Sequence, residues 1–314
     1  MMEGQNTPLL SIRDLTVTFN TINGPFCAID QLDFDIYENE TVAIVGESGC
    51  GKSVLGHASM RLLDGIADVK GSVKLNGEEL YTMDSDAVRK IRGPGISLIP
   101  QSPSSSFNPV MKIGDQIKEM IENAGVAYGK DAKKRSLEYL LKVGFDDPYA
   151  IYSSYPHRLS GGMNERALIA MAISVESELV IADEPTKGLD HLSRKNVLNV
   201  LHEVVEDASM IMITHDIKAA STCEKVAVMY SGQIVEEGKV EGVLENPVHP
   251  YTKALLDAQP SRGMKPIKGK HTLEDHMAQG CRFMNRCDLA TESCRNAPAL
   301  DVIDKHRRVR CHYA

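Results

Sequence analysis

With 314 residues, 42% of them apolar and 25% charged, the chain is long enough for a large core domain with something appended. Its net charge of −8, with no lysine/arginine block in the motif-bearing region, argues against nucleic acid as the main partner; an ordinary acidic surface accounts for it. The longest apolar stretch, Ala167 to Val175, is about half of what a bilayer requires, and Met1 to Asn6 carry no signal-peptide pattern, so a chain that does not cross a membrane is expected.

The first 45 residues alternate as strands do, in Leu10-Ser11-Ile12, Thr16-Val17-Thr18-Phe19 and Leu32-Asp33-Phe34-Asp35-Ile36. Thr41-Val42-Ala43-Ile44-Val45 is a further apolar strand, and Gly71 to Gly77 predicts another that ends in the turn Asn76-Gly77. From about Gly114 to Ile173 the period becomes helical, with Leu137, Leu140 and Leu141 on one face and Leu168, Met171, Ala172 and Val175 on another. Loops fall at Pro103, Asn108-Pro109 and Tyr155-Pro156. Strand signals return at Leu179 to Ala182, Met210 to Ile213 and Val226 to Met229, separated by helical Ser193–Val205 and Ile217–Thr222. Such alternation produces a mostly parallel sheet covered by helices, an α/β fold. After Asn246-Pro247 the pattern weakens, and Gln259 through Lys270 reads as a linker.

Gly46-Glu47-Ser48-Gly49-Cys50-Gly51-Lys52-Ser53 is a complete P-loop placed directly after a strand. Its glycines let successive N–H groups turn toward phosphate oxygens, Lys52 brings a point charge to the β/γ-phosphates, and the Ser53 hydroxyl can ligate Mg²⁺. Val54, Leu55, Ala58 and Leu62 have helical spacing, so phosphate would also meet a helix N-terminus. A nucleoside triphosphate is the expected substrate.

Leu179-Val180-Ile181-Ala182-Asp183-Glu184 is an apolar strand that delivers two carboxylates, one able to hold Mg²⁺ and the next to orient or deprotonate a water. An acidic pair after a strand is commonplace; it gains meaning from Leu159-Ser160-Gly161-Gly162-Met163 upstream and Gly188-Leu189-Asp190 downstream. The order P-loop, Leu-Ser-Gly-Gly, Asp-Glu, Gly-Leu-Asp and then Thr214-His215-Asp216 resembles the ATP-binding subunit of ABC transporters over roughly residues 8 to 245.

The resemblance implies a P-loop NTPase fold with a RecA-like parallel-sheet core, an antiparallel β subdomain and a helical subdomain at about 102–175. It places Phe19 where an aromatic stacks on adenine, although Phe19 could equally be core, and Val54 at the end of the ATP-binding run. Gln101 matches the glutamine that senses Mg²⁺ and the membrane subunit, and Asp183 the Mg²⁺-associated aspartate. Ser160, Gly161 and Gly162 match the signature contacting the γ-phosphate of ATP held by the opposite subunit, and Asp190 the D-loop. Glu184 resembles the catalytic base and His215 the switch histidine. A dimer that closes on two ATP molecules and opens after hydrolysis is therefore implied. Two departures are Met163, usual in the peptide-importer branch, and Asn164-Glu165-Arg166 where Arg-Gln-Arg is frequent. A solvated Glu165 carboxylate near the helix start would cost about 0.3–1 kcal/mol, so retained activity is expected.

Pro247 to Leu256, then Gly280-Cys281 and Arg286-Cys287, resembles the tail of ATPases serving oligopeptide, dipeptide and nickel importers, which makes 246–314 a C-terminal extension. His249 reads as a structural residue at a helix start with Pro250 at its first position. Cys281, Cys287, Cys294 and Cys311 are separated by five, six and sixteen residues, unlike the tight pairs of zinc ribbons. By the resemblance they hold a [4Fe–4S] cluster, with zinc or reduced thiols as alternatives. Arg282, Arg286, Arg295, Lys305, Arg307, Arg308 and Arg310 are read as compensating the thiolates, as a solvated basic tail would also look.

The resulting expectation is an ATPase subunit at the cytoplasmic face of a membrane, paired with a second, related ATPase. It would power uptake of peptides or nickel chelates through two transmembrane permease subunits fed by an extracytoplasmic substrate-binding protein. The alternative is a soluble regulatory or assembly ATPase of the same fold, which generally fuses two ATPase halves or lacks such a tail.

Overall fold

The computed structural model describes residues 7–205 and 208–314. Met1 to Asn6, read above for the missing signal-peptide pattern, lie outside the described residues. Two compact units are present, one holding residues 7–37, 41–82 and 212–314, the other 38–40 and 83–211.

In the first unit, β1 (Leu10–Thr21) and β2 (Gly24–Ile36) form an antiparallel pair. On the other side of β1 lie β4 (Ala67–Leu75) and the short β5 (Glu78–Glu79). The two runs expected at 10–12 and 16–19 are one strand, broken by register shifts between Ile12 and Thr18. Those shifts reset its parity: the inward set is Leu10 and Ile12, then Leu15 and Val17, an odd step that strict alternation forbids. Asp14 sits in the irregularity with φ 50° and donates its N–H to Asp33 Oδ1 at 2.8 Å. The turn Asn76-Gly77 has positive φ at both residues, 51° and 82°, as a two-residue hairpin requires.

The same unit carries β3 (Thr41–Val45), parallel to β9 (Lys225–Tyr230), and β9 continues antiparallel into β10 (Gln233–Lys239). Late in the chain, β12 (Arg307–Val309) joins β10, with β11 (Asp301–Asp304) outside it. Its helices are α1 (Lys52–Ser59), α9 (Ile217–Ala220), α10 (Val240–Glu245) and α11 (Pro250–Asp257). Leu55 and Ala58 of α1 are buried as their spacing predicts, but the helix stops before Leu62.

The second unit pairs β6 (Ile96–Ile99) in parallel with β7 (Leu179–Asp183). Its helices are α2 (Ser85–Ile91), α3 (Pro103–Ser106), α4 (Ile113–Asn123), α5 (Gly129–Lys142), α6 (Pro148–Tyr152), α7 (Gly161–Ile173) and α8 (His191–Val204). The strand β8 (Ser209–Thr214), of which 209–211 belong to this unit and 212–214 to the first, is buried along its length. On α5, Leu140 faces the core while its neighbour Leu141 is exposed, so the apolar face expected from Leu137, Leu140 and Leu141 is narrower than the sequence suggests.

Two of the buried carboxylates, Glu236 and Glu165, contrast in how their charge is met. Glu236 on β10 is fully buried and accepts from Val248 N at 2.9 Å, His249 N at 3.0 Å and Arg307 Nε at 3.0 Å, so it fastens β10 to the start of α11 and to β12. His249 is buried and structural, as expected: its Nδ1 accepts the Tyr251 N–H at 3.0 Å, and burial pushes the imidazole down to about 3. Glu165 on α7 corrects the expectation of a solvated charge. It is 2% exposed, Oε1 has no hydrogen-bond partner, and burial pushes the carboxyl up to about 8. The desolvated side chain therefore holds a proton where a solvated one would be ionised.

Arg307→Ala should leave Glu236 buried without its cation and cost about 3 kcal/mol in denaturant unfolding of the full chain; an unchanged midpoint would show the pair to be dispensable. For Glu165 the folded value lies above the ordinary 4.5, so its contribution to stability falls as pH rises from that value toward about 8. Glu165→Gln should accordingly stabilise the protein by about 1–3 kcal/mol at pH 8 and by much less at pH 5. Equal effects at both values would mean that the carboxyl is ionised in the fold.

Candidate active site

The P-loop joins β3 to α1, and its path is set by backbone approaches that side chains cannot make. A Cβ at Gly46 would lie 2.2 Å from the Met229 carbonyl oxygen, and one at Gly51, where φ is 105°, would lie 2.7 Å from the Ala28 carbonyl oxygen. Gly51 is also the N-cap of α1, with no side-chain cap and no acidic residue in the first turn, so the helix's positive end is left to an anion. Lys52 is buried and donates from Nζ to the carbonyls of Gly46 at 2.9 Å and Glu47 at 3.0 Å. Cys50 is buried, and its carbonyl accepts from Gly232 N at 2.8 Å. Val54 and Ser53 lie in the first turn of α1, half-buried.

Sequence reasoning missed the residues that brace this loop from the C-terminal region. Tyr251 on α11 accepts the Glu47 N–H at 2.9 Å, and Arg286 grips the Glu47 carboxylate with Nη1 at 2.6 Å and Nη2 at 3.1 Å. Arg282 pairs with Asp30 at 2.5 Å, Arg308 with Glu237 at 2.6 Å, and Arg307 with Glu236. These arginines, read as compensation for thiolates, are paired with carboxylates of the strands and the P-loop instead. The available signal was Glu47 itself, an acid inside a phosphate loop that calls for a cation.

In the second unit, Asp183 ends β7 and Glu184 follows with φ 52°, a left-handed conformation that costs a residue with a side chain about 1–3 kcal/mol. Both are buried. Gln101 follows β6 and is exposed. Ser160 caps α7, its Oγ accepting the Met163 N–H at 3.3 Å, and a Cβ at Gly161 would meet only open space. Asp190 caps α8 and takes the Ser193 hydroxyl at 2.6 Å; these bonds hold its carboxyl below the usual range. A Cβ at Gly162 would lie 3.4 Å from that same Ser193 hydroxyl, so glycine leaves the approach of α7 to Ser193 open.

His215, in the first unit, is exposed beyond β8, where Asp216 caps α9. Phe19 is half-buried on β1 opposite Phe26. In the tail, Cys281 N donates to the Cys294 carbonyl at 2.8 Å, and the Leu289 and Tyr313 N–H groups approach the sulfurs of Cys287 and Cys311 at 3.4 and 3.5 Å. Burial pushes Cys281 up to about 11 and also raises Cys287 and Cys311. No group of three or more His, Cys, Asp or Glu among the described residues is gathered as a metal ion requires.

A family model described as ABC transporter matches residues 29–187, and one described as oligopeptide/dipeptide transporter, C-terminal region, matches 235–294. The oligopeptide transport ATP-binding protein AppD of Bacillus subtilis is 39% identical over 96% of this chain and 96% of its own length. The dipeptide transport ATP-binding protein DppD of Haemophilus influenzae is 39% identical over 97% of this chain and 95% of its own. The ATP-binding cassette MJ0796, solved as a dimer in a post-hydrolysis state with ADP and Pi, superposes with a TM-score of 0.66 at 25% identity, covering 74% of this chain and 98% of that one. Clostridium perfringens CbiO1 shares the fold, with a TM-score of 0.64 at 23% identity over 81% of this chain and 96% of its own. With that match spanning more than half its length, and relatives aligned nearly end to end, the chain belongs to the ABC transporter ATP-binding family.

Proposed function

We propose that this chain is the ATP-hydrolysing subunit of a peptide importer, working at the cytoplasmic face of a membrane. The observation that carries the reading is the joining, in one chain, of a P-loop ATPase to a C-terminal region of the oligopeptide/dipeptide transporter type. Peptide is favoured over a nickel chelate because the relatives described above are named for oligopeptide and dipeptide transport. Among the described residues no helix is long and apolar enough to cross a membrane. In this reading the path for cargo belongs to separate permease subunits. A second, related ATPase and an extracytoplasmic substrate-binding protein complete the assembly. Residues 8–245 are the ATPase module and 246–314 its extension.

Phosphoryl transfer asks the protein mainly for positioning and charge neutralisation. Lys52 and the N–H groups of the run from Gly46 to Val54, except that of Glu47, which Tyr251 takes, hold the phosphates, and Phe19 offers a face to adenine. Ser53, Gln101 and Asp183 would hold Mg²⁺, which neutralises charge developing on the phosphate oxygens when bound. Glu184 accepts the proton of the attacking water and His215 positions the γ-phosphate. Ser160, Gly161 and Gly162 complete the partner's ATP site, and Asp190 serves as the D-loop residue. In the tail, Cys281, Cys287, Cys294 and Cys311 would hold a [4Fe–4S] cluster, a group that spreads its thiolates farther apart than a single ion does. The backbone N–H groups aimed at two of the sulfurs suit thiolate ligands.

Glu184→Gln should keep ATP affinity and lower turnover by about 10²-fold or more in the assembled transporter; wild-type hydrolysis would remove Glu184 from the role of base. Anaerobically purified protein should contain about four iron atoms per chain and absorb broadly in the visible, and an iron-free, zinc-loaded protein would overturn the cluster.

A further inference from the structure

Every polar group of Glu47 is engaged. Its N–H donates to the Tyr251 hydroxyl at 2.9 Å, its carbonyl accepts Lys52 Nζ at 3.0 Å, and its carboxylate lies in the fork of Arg286. Arg286 is itself immobilised: it is buried, donates from Nε to the Lys268 carbonyl at 2.8 Å and lies over the ring of Tyr230 at 5.7 Å. One residue of the phosphate loop is thus tied on one side to the phosphate-binding lysine and on the other to two residues of the C-terminal region.

We propose that Arg286 and Tyr251 are positioning residues of the P-loop that set its affinity for nucleoside triphosphate. The proposal deepens the reading of this loop as an ATP site and rests on it. Two physical effects combine. The Glu47 carboxylate is a like charge beside a polyanion, and the bidentate guanidinium offsets it. The Tyr251 hydroxyl fixes the Glu47 peptide, whose carbonyl in turn orients Lys52, so the loop needs little further ordering to receive phosphate. The C-terminal region is on this account part of the nucleotide-binding apparatus, and its folding state is felt at the P-loop.

The test is a fluorescence titration of the full chain with a labelled ATP analogue at low salt, alongside a thermal melt of each variant. Arg286→Ala should raise Kd about tenfold by exposing the phosphates to an uncompensated Glu47, and adding Glu47→Gln should return Kd to within about threefold of wild type. Tyr251→Phe, which removes one hydroxyl, should raise Kd about threefold. Failure of the wild-type chain to bind the analogue would overturn the nucleotide site and this proposal together. A wild type that binds, with Arg286→Ala equally tight or with the double variant as weak as the single, would overturn the positioning role alone. If Arg286→Ala does not fold, Arg286→Lys and Tyr251→Phe decide by the same comparison, and wild-type affinity in both overturns the proposal.

Discussion

A phosphate-binding loop works by turning its own peptide N–H groups toward one point, and the close approach this demands is the constraint around which the first unit is organised. Gly46 passes the Met229 carbonyl and Gly51 passes the Ala28 carbonyl at distances that no Cβ could occupy. Met229 lies on β9, beside the strand that feeds the loop, and Ala28 lies on β2. The parallel pairing of β3 with β9 and the course of β2 therefore act as two walls of a mould. The loop between them has little freedom left, and donors fixed before the anion arrives lose no energy in reorganising around it.

The second unit uses the opposite device. Its candidate site residues are delivered by a buried strand end and by capped helix starts, with Glu184 held at φ 52°. A carboxylate in that conformation cannot relax into the following turn, and its carbonyl is held by the Lys187 N–H at 3.0 Å. Ser193 donates its hydroxyl to Asp190, the N-cap of α8, and a side chain at Gly162 would meet that hydroxyl, so the start of α7 runs near the start of α8. Positioning by backbone in one unit and by side-chain capping in the other suits a reaction whose barrier is lowered mostly by charge placement.

Features written in consecutive residues were legible in the sequence. The P-loop, the strand carrying Asp183 and Glu184, and the cap at Ser160 each depend on spacing within a few positions, and each folds as its spacing predicts. Parity errors were not legible: the irregularity at Asp14 turns two apparent strands into one, and nothing in Arg13-Asp14 announces an extra residue. At Glu165 the residue type argues for solvent, while its position on α7 is set by tertiary packing. The Glu47 contacts join residues 204 and 239 positions apart, beyond any local pattern.

Those distant contacts also explain how a tail with little apolar content is attached. Arg282, Arg286, Arg307 and Arg308 each meet a carboxylate on the strands or the P-loop, and the first three are largely buried at their side chains. Burying charges in pairs adds little net stability compared with apolar packing, because desolvation offsets most of the attraction. What it supplies is register: a guanidinium fork accepts one carboxylate in one geometry, and a shifted tail would bury several unpaired charges at once. Phe283, edge-on to Tyr230 and Tyr251 at 5.3 Å, adds apolar contact between those anchors. The cysteine-bearing segment is consequently placed by charge pairing, and the residue adjoining Cys287 is the one that reaches the phosphate loop.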